Sequence, residues 1–559
     1  MKDKNFKLSE LPYKRITIES FEKESSEIIK EFNTAQNGEE EFVVHKKYYT
    51  LMRKVSTAMI LAGMRHDGDV SDKFYAAEHE YYDEVSPKIE SFKVKYQKLL
   101  LNSNYRTYFE NKIGKVPFKD IEIQLKAFDD VLIPLKQEEN IITSRYNKLI
   151  AQTKVEFRGE TLNLSLLGKY LKSKDRATRI EASKVRSEKL LTIADELDEI
   201  FDKLVANRNA QAKAMKYDNY VELGYYNMKR NSYDKNDVAN FRNQVKKFLV
   251  PLASKVHEER RKRLGLDKLD FVDEAVYFLA GNPIPLGTAE DIFIAGKNMY
   301  SELSSETKEF FNFMLQHELF DVLGRANKAT GGYMEMLMLY KAPIIFANFN
   351  GTSGDVNVMT HECGHAFQGY LTRNDEIVEH NNITNETAEV HSMSMEFFTD
   401  KWMDLFFGSR GDDYRKMHLE DAIAFIPYGC MIDEFQEKIY TKPELTPCER
   451  REIWKSLEKE YKPHLAFEDD KFFSDGRTWQ LQKHVYNWPF YYIDYCLAQT
   501  CALQFKIIMD KDYNAAWQKY IAFCLESAKD YFPTMLHNVG LKSPFKDGFM
   551  KELVEKIKL

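Results

Sequence analysis

The sequence predicts a mainly α-helical protein. Apolar residues recur at helical spacing through most of the chain, and helix-breaking residues are sparse, with 15 prolines and 24 glycines among 559 residues. The stretches that break the pattern are short and bounded by turn residues.

Thr17 to Asn33 reads as the first clear helix, with Ile18, Phe21, Ile28, Ile29 and Phe32 on one side. His45 to Ala62 and Phe74 to Leu100 read similarly, and Lys119 to Leu149 reads as two helices broken near Pro134. Thr153 to Leu164 alternates apolar and polar residues around Arg158-Gly159, which predicts a short hairpin. Lys174 to Lys216 is one long charged helical stretch, Gly281 to Gly287 is a loop, and helices resume from Thr288. Lys328 to Tyr333 carries a turn signal, and the β-prone run Ala342 to Phe349 reads as an edge strand to which an extended peptide can pair its backbone.

A chain of this length holds several structural units at ~150 residues each. The expected division is an N-terminal helical domain, residues 1–195, and a catalytic domain, residues 196–559, with no Pro/Gly/Ser linker between them. Apolar residues make up 43% and charged residues 30%, the balance of a soluble globular protein. A net charge of −7 leaves no basic excess, so no nucleic-acid partner is expected. The N-terminal residues lack the apolar core of a secretory signal, and no window is apolar enough to span a bilayer. All six cysteines lie at or beyond Cys363 without a CxxC pair. Reduced thiols, a cytoplasmic location and no membrane association are the expectations.

Against this background stands His361-Glu362-Cys363-Gly364-His365. Histidines four apart project from one face of a helix and can grip one metal ion, with Glu362 placed to reach a water on that ion. Capping residues in Asn350 to Asp355 and apolar residues on both sides make the segment a partly buried helix, so the histidines need partners. Cys363 faces away from the histidines and reads as packing. A catalytic zinc takes three protein ligands and leaves one position open. The next helix offers Glu386, Glu389 and Glu396, successively three and seven residues apart on one face among apolar neighbours. Spacing alone does not choose among them. Glu396 and Asp355 are candidates to orient the histidines through hydrogen bonds.

The HECGH motif, the glutamate-bearing helix after it, the Asn-Phe-Asn-Gly-Thr turn before it and the upstream Gly-Gly-Tyr resemble the thimet oligopeptidase/oligoendopeptidase F family of zinc peptidases, in particular its Pz-peptidase branch. The motifs cover roughly residues 200–555; the N-terminal part is similar only in its helical character. The resemblance implies an elongated, mainly α zincin-type fold with a deep substrate channel and a small β element beside the active-site helix. It also implies one Zn2+ held by His361, His365 and Glu389, with Glu362 as general base. Many members carry a histidine three residues after the motif, where this chain has Gln368.

Further on, His484 to Tyr495 is dense in phenols. Pro489 is expected to open a helix, leaving His484 in the loop before it and Tyr491, Tyr492 and Tyr495 on one side. The resemblance implies that His484 and tyrosines of this segment face the substrate carbonyl. The whole reading is a zinc endopeptidase that cuts short unfolded peptides with a metal-activated water. The alternatives are a zinc carboxypeptidase of similar helical build and a helical peptide-binding protein without catalysis.

Overall fold

Three long helices open the chain, α1 (Ile18–Thr34), α2 (Gly38–Gly68) and α3 (Lys73–Leu101). Each starts at a side-chain cap: Thr17 accepts from the Ser20 amide, Asn37 from Glu40, and Asp72 from Phe74 and Tyr75. Phe21, Ile28 and Phe32 of α1 meet an aromatic core in which Phe21 packs edge-on to Phe92 and Tyr48 stacks on Tyr96 at 4.3 Å. The structure is a computed structural model, and it describes residues 6–325, 327–467 and 470–559.

The predicted helix break near Pro134 falls slightly earlier. One helix ends at Ala127 and the next runs Ile133–Gln152, so Pro134 occupies a first turn, where no amide donor is needed. The predicted hairpin is present as β1 (Lys154–Phe157) and β2 (Glu160–Asn163). Its turn residues Arg158 and Gly159 sit at φ 52° and 83°, the left-handed pair that matches the twist of two antiparallel strands. The long charged stretch is two helices, α4 (Arg176–Leu191) and Ala194–Ala214, parted at Thr192 and Ile193.

The second sheet holds β3 (Phe320–Leu323), β4 (Tyr333–Leu337) and β5 (Ala342–Phe349) in the order β3-β5-β4. This corrects the expectation of an edge strand over Ala342 to Phe349. β5 is central, parallel to β3 and antiparallel to β4, and residues 342 to 347 are buried as a doubly covered strand requires. The open edges belong to β3 and β4.

The chain forms two compact units, each built from three segments. One takes residues up to Ile133, Pro285–Phe406 and Ile508–Gly540; the other takes Pro134–Ile284, Phe407–Ile507 and Leu541–Leu559. None of these boundaries falls at 195/196. The first unit carries the three-stranded sheet and, directly after β5, the helices α5 (Ser353–Thr372) and α6 (Asn385–Phe398). The second carries α4, the hairpin, α7 (Gly411–Thr441) and most of α8 (Tyr492–Met509). Its interior holds paired charges, among them Arg208 with Glu139 at 2.7 Å and Arg242 with Asp433 at 2.7 Å. Among the described residues, no helix is long and apolar enough to cross a membrane. All six cysteines are free, and five are buried.

Candidate metal centre and active site

Helix α5 begins at Thr352, whose hydroxyl accepts from the Gly354 amide. Asp355 secures the loop before it, its carboxylate accepting from the amides of Asn350 at 2.9 Å and Gly351 at 2.7 Å. Asp355 therefore braces the loop and does not orient a histidine. Val356, Met359, Cys363, Ala366 and Phe367 form the buried face of α5. Cys363 is fully buried next to Tyr300, and burial pushes its thiol up, consistent with a packing role.

α5 packs on α6 with almost no space between the backbones. A Cβ on Gly364 would lie 2.6 Å from the His391 carbonyl oxygen and 2.6 Å from the Ser392 Cα, so only glycine fits. That approach brings Glu389 to the histidines: its Oε2 lies 3.3 Å from His361 Nε2 and 3.5 Å from His365 Nε2. One ligand atom from each of the three residues falls within 4.8 Å of the others. Of the three glutamates left open by spacing, Glu386 instead accepts from the Thr384 hydroxyl at the helix start. Glu396 accepts from His361 Nδ1 at 2.6 Å and from Asn357 Nδ2 at 2.9 Å.

Two imidazole nitrogens and one carboxylate oxygen converging this closely make a donor set suited to a divalent cation such as zinc. The electrostatics agree with that fit. Burial alone would depress the His361 imidazole, but hydrogen bonds to Glu389 and Glu396 raise it well above its usual value. Burial alone would raise the Glu389 carboxyl, but His365 and His361 hold it well below the carboxylate range. The pocket thus favours positive charge where the three side chains meet. Glu362, 7% exposed, points the other way: burial raises its carboxyl above the usual range against the pull of His361 and His365. The Gly331-Gly332 turn before β4 passes close by, since a Cβ on Gly332 would lie 3.6 Å from Glu362 Oε1. Gln368, at the position of the family's extra histidine, is buried and reaches Thr372 and the Cys524 carbonyl, a packing role.

The second predicted group gathers in the second unit. The His484 ring lies 5.5 Å from Tyr491, 5.2 Å from Tyr492 and 5.7 Å from Tyr495, centroid to centroid, and Tyr495 Oη is 3.4 Å from His484 Nε2. Its local structure corrects the sequence reading. His484 lies in a short helix, Lys483–Asn487, and Tyr491 precedes α8, which starts at Tyr492 and not at Pro489. The reason is Phe490, at φ 69° in the left-handed region, which turns the chain between the two helices. Its amide donates to Gln436 Oε1 at 3.1 Å, its carbonyl accepts from Arg230, and its ring fills the space left by Gly224. Sequence reasoning also missed Gln482 and Tyr428. The Tyr428 hydroxyl donates to Gln482 Oε1 at 3.2 Å, and the Gln482 amide donates to His484 Nδ1 at 3.0 Å, leaving the proton on Nε2. A glutamine two residues before a candidate histidine was the available signal for one of them.

A helical body with an HExxH helix packed on a carboxylate-bearing helix is the arrangement of a metallopeptidase. Residues 8–128 match the Peptidase M3 N-terminal domain, and residues 169–279 and 295–555 match Peptidase family M3. The chain belongs to peptidase family M3 and is an oligopeptide-cleaving metallopeptidase. Among solved structures it is similar to Pz peptidase A with an inhibitor, at 42% identity and TM-score 0.96 over 98% of both chains. A protein provisionally named oligoendopeptidase F matches at 42% identity and TM-score 0.96, over 98% of this chain and 97% of that one. Another of that provisional name, from Bacillus anthracis, matches at 39% identity and TM-score 0.90, over 98% and 96%. No curated protein sequence matches.

Proposed function

We propose that the chain is a zinc-dependent endopeptidase that cuts short unfolded peptides internally. The observation that carries this is the convergence of His361, His365 and Glu389 beside a buried Glu362. A zinc ion held there supplies Lewis acidity and a water acidified toward a pKa of ~7. Glu396 accepts the Nδ1 proton of His361 and so presents Nε2 as the ligand atom. Glu362 is the general base: it takes the proton of the attacking water and returns it to the leaving nitrogen, and burial raises its carboxyl above the usual range. His484, held with its proton on Nε2, donates to the substrate carbonyl as negative charge develops there, with Tyr491, Tyr492 and Tyr495 as the phenol donors of the same cluster. The peptide backbone docks on the open edge of β4, beside the Gly331-Gly332 turn, and not on the doubly paired β5.

The residues given chemical roles all lie in 196–559, which we take as the catalytic part, with 1–195 as its helical N-terminal companion. Cytosolic peptide turnover suits the free cysteines. The deciding experiment uses a peptide blocked at both ends by N-acetylation and C-amidation. It should be cut internally, lose that cleavage on chelation, and regain it with one equivalent of zinc. Glu362→Gln should keep the zinc and lose ~10²–10⁴-fold in kcat. Cleavage that demands a free terminus would make the protein an exopeptidase, and full activity in the variant would remove Glu362 from the mechanism.

A further inference from the structure

The second unit holds a cavity of about 290 Å3, at the lower end of the ~300–1,000 Å3 range of small-ligand sites. Its charged lining is balanced except at one residue. Arg179 is matched by Asp273 at 2.6 Å and donates to the Val272 carbonyl. Lys462 lies 2.8 Å from Glu274, which His464 also approaches at 3.3 Å. Arg186, on α4, has no such partner. Among the described residues no carboxylate ion-pairs with it, its buried Nε meets no acceptor, and its Nη2 reaches only to 3.5 Å from Ser183 Oγ. The guanidinium lies 4.5 Å over the Phe473 ring, on a wall that also includes Phe271 and Phe467. Burial pushes the guanidinium down to about 10 against the attraction of Asp470. An arginine carries a permanent charge and five donors, and the half-buried Arg186 keeps its buried Nε without an acceptor.

The same cavity reaches the cluster assigned above to the substrate carbonyl. Gln482 and Tyr428 both line it, and they are the residues that hold His484. From this juxtaposition we infer that the cavity is a carboxylate-binding subsite for the peptide substrate, with Arg186 as the charge partner and the Phe271, Phe467 and Phe473 wall taking the aliphatic stem. The carboxylate comes from an acidic side chain or from the peptide's own C-terminus. The inference rests on His484 facing the substrate.

The test is a set of blocked peptides in pairs that differ only by Glu or Gln, scanned through the positions flanking the cleaved bond, plus one pair ending in a free acid or an amide. Wild-type enzyme should cut the acidic member with about tenfold higher kcat/KM at one position, the size of a charge-assisted hydrogen bond. Preference confined to the free-acid pair would identify the terminus as the source, and preference at an internal position a side chain. In Arg186→Gln the ratio should fall to near one, and in Arg186→Lys it should be kept in part. A wild type without preference in any pair overturns the inference, as does Arg186→Gln with the preference intact. The wild-type comparison decides even if the glutamine variant does not fold. Failure of the endopeptidase reading looks different: neither member of any pair would be cut in a metal-dependent way.

Discussion

His361, His365 and Glu389 stand on two well-formed helices, whereas His484 and its three tyrosines straddle a turn in which a phenylalanine holds a left-handed backbone. The first group gets its geometry from regular spacing. Residues four apart on α5 face the same way, and one close crossing delivers the third side chain. The second group gets it from restraint. A bulky residue at positive φ costs on the order of 1–3 kcal/mol, and it persists because Gln436, Arg230 and Gly224 hold the Phe490 amide, carbonyl and ring. Precision by periodicity tolerates changes in distant residues; precision by clamping depends on residues far away in sequence.

Four substitutions sharpen that contrast. The largest effect belongs to the helical group. Glu389→Ala should abolish stoichiometric metal binding and activity together, while Glu396→Ala should weaken metal affinity ~10–100-fold and recover much of its rate with excess zinc. Metal analysis beside kinetics separates the two, and unchanged zinc content in Glu389→Ala would refute the ligand set. The clamped group should respond differently. His484→Ala should keep its metal and lose ~10²–10³ in kcat, the loss typical of one donor to a developing oxyanion. Tyr428→Phe, which frees Gln482 to rotate, should show a smaller loss of the same kind with the thermal midpoint unchanged. If either variant loses metal, the two groups are not independent.

The last effect is on stability and lies in the second unit. Glu458 accepts from Trp454 Nε1 at 2.7 Å and from the Thr478 hydroxyl, and burial raises its carboxyl to about 7. A carboxyl raised in the folded state favours folding while protonated. Its contribution is fully present below the ordinary value of 4.5 and is lost as pH rises through about 7. By pH 8 the loss is on the order of 3 kcal/mol. Glu458→Gln keeps the acceptor and removes the charge, so its thermal midpoint should fall less than the wild type's between pH 5 and pH 8. Parallel curves for the two proteins would show that Glu458 does not titrate in this window.

The contrast also explains what could be read in advance. The α5 histidine pair and the buried Glu362 beside it were legible because helical spacing is local. The carboxylate that meets the two histidines was legible as one of three glutamates, since 386, 389 and 396 share a face and only the height of the helix crossing separates them. The helices α1 and α3 were placed within about a residue by their apolar periodicity. β5 was misjudged because an apolar run looks the same at the edge of a sheet as at its centre; neighbours settle its position, and β3 and β4 carry too few residues to announce themselves. The start of α8 was misjudged because Pro489 signals a helix opening, while a left-handed Phe490 carries no glycine or asparagine to mark it. The interleaved units leave no trace in composition, since each is assembled from segments far apart in the chain.

Gly364 has one more consequence. The missing side chain there sets the thickness of the layer between α5 and α6, and therefore how close the carboxylate of Glu389 comes to His361 and His365. Any larger residue would act as a spacer, parting the helices and widening the span between nitrogen and oxygen donors. The fourth letter of HECGH offers no donor, yet it fixes the bore of the site and with it the size of ion that would fit between the three side chains.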